Sequence, residues 1–431
     1  MPERDWSGLL ISSQVGAYYG STSDPYKQSV SQSLSPLQAI IKKLPIPCER
    51  YLHSGDIQER MAKEVTEKAH KPYENMWVLK TDDMIKNLTW WWWWWIFFIK
   101  DPDNPGKTKQ LMILWSTKYT DDIMVMDHRW SVSKIPTWED GALKFNGMVA
   151  AWWYDGKQMY DPLVLEEADF EVRHDGDDGE LNPMLKDTDY NFFGGPAKYT
   201  VNIRDKDNDF HFEMTPWNDY LQKHRFNENQ YTKKYSYNIM KIFGMKLTGT
   251  IKGKPIEGSA YHQRVTVNAP APPWYWGLVH CEDGSYIDYF MPYIGPQIFR
   301  YKEAADSWLD FCDIRMSKSI HFYHKPTNKE YRFDTKHTRI RHKVVDGLPV
   351  FEITGKDGDK EFFLRLKAYT RAFWRFQQPR KMGMRSILYY NEYPAVVDEF
   401  RFRKLDGTLE VSKKELGFTA CNFEHAWGKL I

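Results

Sequence analysis

The chain has 431 residues, enough for two domains, and 59 Lys and Arg against 58 Asp and Glu leave it almost neutral. No electrostatic stripe argues for nucleic acid, and no polybasic cluster argues for an anionic membrane surface. Aromatic residues make up 16%, with 19 Trp and 26 Tyr, a composition suited to half-buried pleated sheets.

Residues 1–75 read as a polar leader. "SPLQAIIKKL" and "DIQERMAKEVTEKAHK" carry helical spacing, the second with Asp56 placed as N-cap, and both are expected to pack outside a β body. The opening "MPERDWSGLLISSQ" has early charges and a three-residue apolar run, which is not the form of a signal peptide. Cys48, Cys281, Cys312 and Cys421 are scattered and make no CxxC pair. They point to a reducing cytoplasm and to neither a structural zinc nor a disulfide scaffold.

Next comes "NLTWWWWWWIFFIK", residues 87–100. Its apolar run from Leu88 to Ile99 is 12 residues long, interrupted by Thr89 and closed by Lys100-Asp101-Pro102. A spanning helix needs about 20 apolar residues, so the run does not cross a bilayer as a helix. As a strand it puts Trp90, Trp92 and Trp94 on one face and Trp91, Trp93 and Trp95 on the other. One set should line the first barrel, and the other should meet a covering layer.

From Tyr73 onward the grammar is strand and tight turn. Asp-Gly occurs eight times, at Asp140, Asp155, Asp175, Asp178, Asp283, Asp346, Asp357 and Asp406, and between alternating runs it marks hairpins. "KYTVNIRDKDNDFHFEM" and "RIRHKVVDGLPVFEITG" are examples. Strands over so long a stretch imply two antiparallel barrels or sandwiches, not one giant sheet. The aromatic density breaks near residues 243–255. The expected domains are therefore 1–75, 76–245 and 246–431.

Several motifs reduce to turn or strand chemistry. "DKDNDF" lacks the glycine and the final Glu of a calcium loop. In "HFYH" the three-residue spacing puts His321 and His324 on opposite faces, so no metal site is expected there. GxSxG, GxGxxG and P-loop patterns are absent.

The window 253–293, "GKPIEGSAYHQRVTVNAPAPPWYWGLVHCEDGSYIDYFMPY", is the richest in chemistry. Trp276, Leu278 and His280 share a strand face, as do Tyr286, Asp288 and Phe290 after the turn at Asp283-Gly284. An apolar wall with a few polar groups is the make-up of a small-molecule site. Core packing for Trp and solvation for Asp288 are the plain alternative.

This window resembles the carotenoid 1,2-hydratase (hydroxyneurosporene synthase) and AttH-like superfamily. The residues that carry the likeness are Gly258, Tyr261-His262, Trp274-Tyr275-Trp276-Gly277 and Tyr286-Ile287-Asp288. The Trp-rich strand also resembles the family's opening strand, and "GFTACNFEHAWGKL" its closing one, with Glu424, Trp427 and Gly428. The resemblance implies a mainly β chain of two tandem lipocalin-like antiparallel barrels after a short, partly helical N-terminal segment. It also implies a hydrophobic terpenoid or lipid-like ligand. The family's Tyr/Asp pair matches Tyr286 and Asp288. Its His-x-Trp pair has no match, because Gln263-Arg264-Val265-Thr266 follows His262.

Hydration, cyclisation or isomerisation of an alkene begins with protonation to a cation, and needs a carboxyl kept protonated by burial. Asp288 is expected as the acid, with Tyr286 or His262 as its partner. Tyr261, Gln263, Trp274, Trp276, His280, Trp92 and Trp94 are expected to contact substrate. No cofactor is expected, and peripheral membrane contact would serve to acquire substrate. A non-catalytic lipid or isoprenoid carrier of the same fold is the alternative. A surface aromatic groove would instead suit a carbohydrate-binding protein.

Overall fold

Six indoles in a row can all be buried only if they divide between two faces, and a strand does this through its two-residue alternation. In the computed structural model, which describes residues 74–230, 235–269, 273–294, 314–315, 319–333, 338–379 and 385–430, they do lie on a strand. The expected leader helices lie outside the described residues. The chain divides between Ala269 and Pro270, with residues 74–269 in one compact unit and those from 273 onward in the other.

The first unit is built around ten strands: β1 (Thr89–Lys100), β2 (Thr108–Lys118), β3 (Ala142–Tyr154), β4 (Met159–Asp175), β5 (Asp178–Pro183), β6 (Phe192–Gly195), β7 (Lys198–Arg204), β8 (Asp209–Pro216), β9 (Ser236–Ile251) and β10 (Lys254–Asn268). Each pairs antiparallel with the next. β10 returns to β1, with Thr89 opposite Asn268 and Ile99 opposite Gly258, so the sheet is a closed up-and-down barrel. Residues 243–255, expected at a domain boundary, form the β9–β10 hairpin of this barrel instead.

Trp91, Trp93, Trp95, Phe97 and Ile99 point into the barrel and are fully buried in its apolar core. Trp93 stacks on Phe145 at 6.1 Å, and Trp95 on Phe97 at 5.8 Å. Buried indole N–H groups need acceptors. The segment before β1 supplies two: Trp91 Nε1 donates to the Lys80 carbonyl at 2.7 Å and Trp93 Nε1 to the Met76 carbonyl at 2.9 Å. The same segment puts Trp77 against Phe192 and Tyr199 of the interior. Trp90, Trp92 and Trp94 take the outer face. There Trp94 is buried and Trp90 half-buried, with Lys118 Nζ 4.2 Å from its ring.

Seven of the eight Asp-Gly pairs sit at hairpin turns. At Asp140-Gly141 and Asp346-Gly347 both residues have positive φ, the combination a two-residue hairpin requires. Asp178-Gly179 is the exception and opens β5. A Cβ on Gly179 would lie 2.5 Å from the Trp77 ring, so this glycine makes room for an indole. A second close approach joins the barrel's ends, because a Cβ on Gly258 would lie 1.9 Å from the Phe98 carbonyl oxygen. Gly258→Ala is expected to cost about 1–3 kcal/mol by forcing β10 away from β1. Urea denaturation measures it, and an unchanged midpoint would show that the ladder yields freely.

The second unit follows the same up-and-down plan. Its strands are β11 (Trp274–Cys281), β12 (Tyr286–Ile294), β13 (Ser319–His324), β14 (Lys329–Phe333), β15 (Arg339–Val345), β16 (Leu348–Asp357), β17 (Lys360–Ala368), β18 (Ala372–Pro379), β19 (Arg385–Lys404) and β20 (Thr419–Leu430). The sheet runs β14-β13-β12-β11-β20-β19-β17-β16-β15, with β18 on β19. Its two end strands are consecutive in the chain, and Thr338 Oγ1 donates to the Phe333 carbonyl between them. Tyr275, Val279, Ile287, Tyr289, Phe351 and Phe423 are among the residues of the enclosed core. The chain is therefore mainly β and antiparallel, as expected. Among the described residues no helix is long and apolar enough to cross a membrane.

Candidate functional site

The sequence-proposed residues divide between the two units. Trp92, Trp94, Tyr261, His262 and Gln263 belong to the first. Register puts Trp94 and Tyr261 on its outer face, with their rings 5.8 Å apart, and Tyr261 Oη donates to Gln263 Oε1 at 3.4 Å. His262 points the other way, into the barrel. It lies opposite Trp95 with the ring centroids 4.4 Å apart, and its Nε2 is 2.9 Å from Met76 Sδ. Asp288, the expected acid, belongs to the second unit, so His262 and Asp288 are not brought together within one sheet.

Burial holds the His262 imidazole well below its ordinary pKa of 6.5. The unfolded chain then binds the proton that the folded chain refuses. Stability contributed above pH 6.5 is lost as pH falls below it, by at most about 1.4 kcal/mol per pH unit. The urea midpoint is expected to drop between pH 7.5 and 5.5, and His262→Phe is expected to flatten part of that slope. An unaltered slope in the variant would mean that His262 is not the group responsible.

In the second unit, alternation divides "WYWGLVHC" sharply. Tyr275, Val279 and Cys281 enter the core, whereas Trp274, Trp276, Leu278 and His280 take the outer face, and so do Tyr286 and Asp288 of β12. Gly277 faces inward, where a Cβ would lie 2.7 Å from the Tyr289 ring. Although turned away from the enclosed core, this outer face is not solvated: Trp276, His280 and Tyr286 are all buried.

Two polar clusters lie on it. In the first, Asp288 Oδ1 is 3.1 Å from His321 Nδ1, and His321 Nε2 is 3.6 Å from Glu330 Oε1, so the imidazole sits between two carboxylates. The Tyr286 ring is 5.7 Å from His321 and 5.8 Å from His280. Tyr286, Asp288 and His280 thus lie together on one face, with His321 beside them.

The second cluster centres on Glu424 of β20, which lies opposite Trp276 of β11 on one side and Glu392 of β19 on the other. Trp274 Nε1 donates to its Oε2 at 2.8 Å, and Tyr390 Oη to its Oε1 at 2.5 Å. Burial pushes the Glu424 carboxyl up to about 7, against the pull of these two donors. Burial also pushes the Tyr390 hydroxyl well above its usual range, and the charges of Glu392 and Glu424 add to that shift. Trp374 of β18, opposite Tyr390, completes the wall and is fully buried.

The site is thus a carboxyl that is half-protonated near neutral pH, backed by a phenol and walled by indoles. Sequence reasoning listed Trp274 and Trp276 but assigned no role to Glu424, and it missed Glu392, Tyr390 and Trp374. The available signal was the alternation of Tyr390 with Glu392 in "LYYNEYP". The facing of β19 on β20 depends on a long-range register that no local pattern encodes. Among the described residues no group of three or more His, Cys, Asp or Glu side chains could hold a metal ion.

No protein-family profile matches the chain, and no curated protein sequence matches it significantly. Solved structures give distant likenesses. A putative AttH from Nitrosomonas europaea is 12% identical with a TM-score of 0.38, over 81% of this chain and 97% of that one. Kievitone hydratase from Nectria haematococca is 9% identical with a TM-score of 0.36, over 78% of this chain and 88% of that one. Likenesses of that size carry no argument about substrate or reaction.

Proposed function

We propose that the chain is an acid–base enzyme that protonates an alkene of a hydrophobic, terpenoid or lipid-like substrate, with hydration as the leading outcome and cyclisation or isomerisation as variants. The observation that carries this reading is Glu424, a buried carboxyl pushed up to about 7 and held between Trp274 and Tyr390. Such a group gives a proton at neutral pH and is available again after each turnover. The carbocation formed would meet the π faces of Trp274, Trp276 and Tyr390, each worth about 0.5–2 kcal/mol. Within this reading Glu424 takes the acid role that the sequence suggested for Asp288. The Asp288–His321 pair, on the same face but two strands and roughly 10 Å away, serves to position substrate. A carotenoid-type alkene hydration is the specific form that the sequence resemblance favours.

Isotope labelling tests the reading. The protein is incubated with a panel of isoprenoid alkenes and unsaturated fatty acids in doubly labelled water, and the recovered molecules are weighed by mass spectrometry. Hydration adds one labelled water. Cyclisation or isomerisation brings in deuterium without heavy oxygen. Binding of a panel member without entry of either isotope would leave the protein a carrier and overturn the proposal.

A further inference from the structure

Cross-strand neighbours on one face of an antiparallel pair have Cβ atoms about 5 Å apart. Glu392 and Glu424 are such a pair, and both side chains are buried. Two carboxylates at that separation out of water do not ionise together easily, which favours a proton on Glu424, the carboxyl that burial pushes up to about 7. The groups facing Glu424 are Glu392 and Tyr390 from β19 and the uncharged Trp274 and Trp276 from β11; Tyr289 of β12 lies on the opposite face of the sheet.

A second observation points to an occupant. The Trp374 indole nitrogen is buried and has no hydrogen-bond partner among the described residues, although its strand neighbour Tyr390 reaches Glu424. Burying an N–H without an acceptor costs about 1–3 kcal/mol, so an oxygen from outside the chain would be bound there with profit.

We infer that Glu392 is the general base of the site, taking a proton from a water whose oxygen accepts the Trp374 N–H, while Glu424 gives its proton to the substrate. This rests on the acid–base reading above and completes its proton balance. The alkene π pair takes the Glu424 proton onto one carbon, leaving a cation on the other. The water oxygen bonds to that carbon and loses its extra proton to Glu392. The product carries one added H and one added OH. The pair ends with its proton on Glu392 instead of Glu424. Tyr390 resets it by accepting the Glu392 proton on its oxygen as its own passes to Glu424. No oxidant, reductant or further reactant is needed.

The inference separates two half-reactions that isotope labelling reads independently. In deuterated water, protonation followed by loss of a proton exchanges hydrogen at the alkene without adding oxygen. Glu392→Gln is expected to lower water addition at least 100-fold while alkene deuteration persists. Glu424→Gln is expected to lower both together, by about 100-fold or more. Water addition at the wild-type rate in Glu392→Gln overturns the base assignment and leaves the acid reading standing. Wild-type activity in Glu424→Gln overturns the acid reading itself. If the glutamine variant does not fold, Glu392→Asp, one methylene shorter, takes its place. Water addition slowed more than deuteration supports the inference, and equal slowing of both overturns it.

Discussion

Glu424→Gln is expected to lower turnover by about 100- to 10,000-fold, the range typical of removing a general acid. The substitution keeps the shape of a protonated carboxyl, so packing against Trp274 and Tyr390 is largely preserved. It does replace one of two acceptor oxygens by an amide, which leaves either the Trp274 N–H or the Tyr390 O–H without its partner. That lost bond should cost about 1–3 kcal/mol, visible as a modest fall in Tm and too small to unfold the chain. Two pH effects accompany it. Wild-type turnover should fall tenfold per unit above about pH 7 as the acid ionises, and the variant's residual rate should lack that limb. Stability moves as well. The folded chain holds the Glu424 proton more tightly than the unfolded chain, whose ordinary value is 4.5, so this group's contribution is full below pH 4.5 and lost as pH rises through 7. By pH 8 the loss is roughly 3 kcal/mol. The stability gap between wild type and variant should therefore narrow from pH 5 to pH 8. A variant that turns over at the wild-type rate, or a gap that widens with pH, would refute the assignment.

The second large effect concerns the row of indoles. Trp93→Ala removes a fully buried ring stacked on Phe145 whose N–H is satisfied by the Met76 carbonyl. It should cost about 3–5 kcal/mol, and so should Trp91→Ala and Trp95→Ala, because the barrel cannot collapse into a void of that size. Trp92→Ala lies one position away on the half-buried outer face, and should cost a fraction as much. Across residues 90–93 the free energy from urea unfolding should alternate, small and large. Equal costs at Trp92 and Trp93 would mean that the strand's two faces are not distinguished as the register requires.

Much of this was legible in the sequence because it depends on neighbours along the chain. Asp-Gly announces a turn through its own backbone preferences, and seven of eight such pairs sit in turns; Asp178-Gly179 departs because Trp77, a hundred residues earlier, requires a residue without a side chain at that point. The split of the six tryptophans follows from strand geometry alone. What stayed hidden depends on which strand lies beside which. His262 and Asp288 are close in sequence, yet the chain ends one barrel between them. Glu392 and Glu424 are 32 positions apart, and only the β19–β20 ladder sets them side by side. The division between units was also misplaced in the sequence. The break in aromatic density at 243–255 belongs to a hairpin tip, where fewer large side chains are needed than in the body of a sheet.

The closure of the first barrel has a consequence for its biosynthesis. β1 is the first barrel strand to leave the ribosome and β10 the last, and each is the other's neighbour. At about 5–20 residues per second, roughly 10–30 seconds pass between completion of β1 and completion of β10. Through that interval a strand bearing six indoles keeps one row of backbone N–H and C=O groups unanswered, the arrangement most open to pairing with a second nascent chain. The carbonyls of Met76 and Lys80, made just before β1, are available throughout to engage Trp93 and Trp91. The segment that finishes the barrel's interior is thus also placed to act as its earliest guard against misassembly.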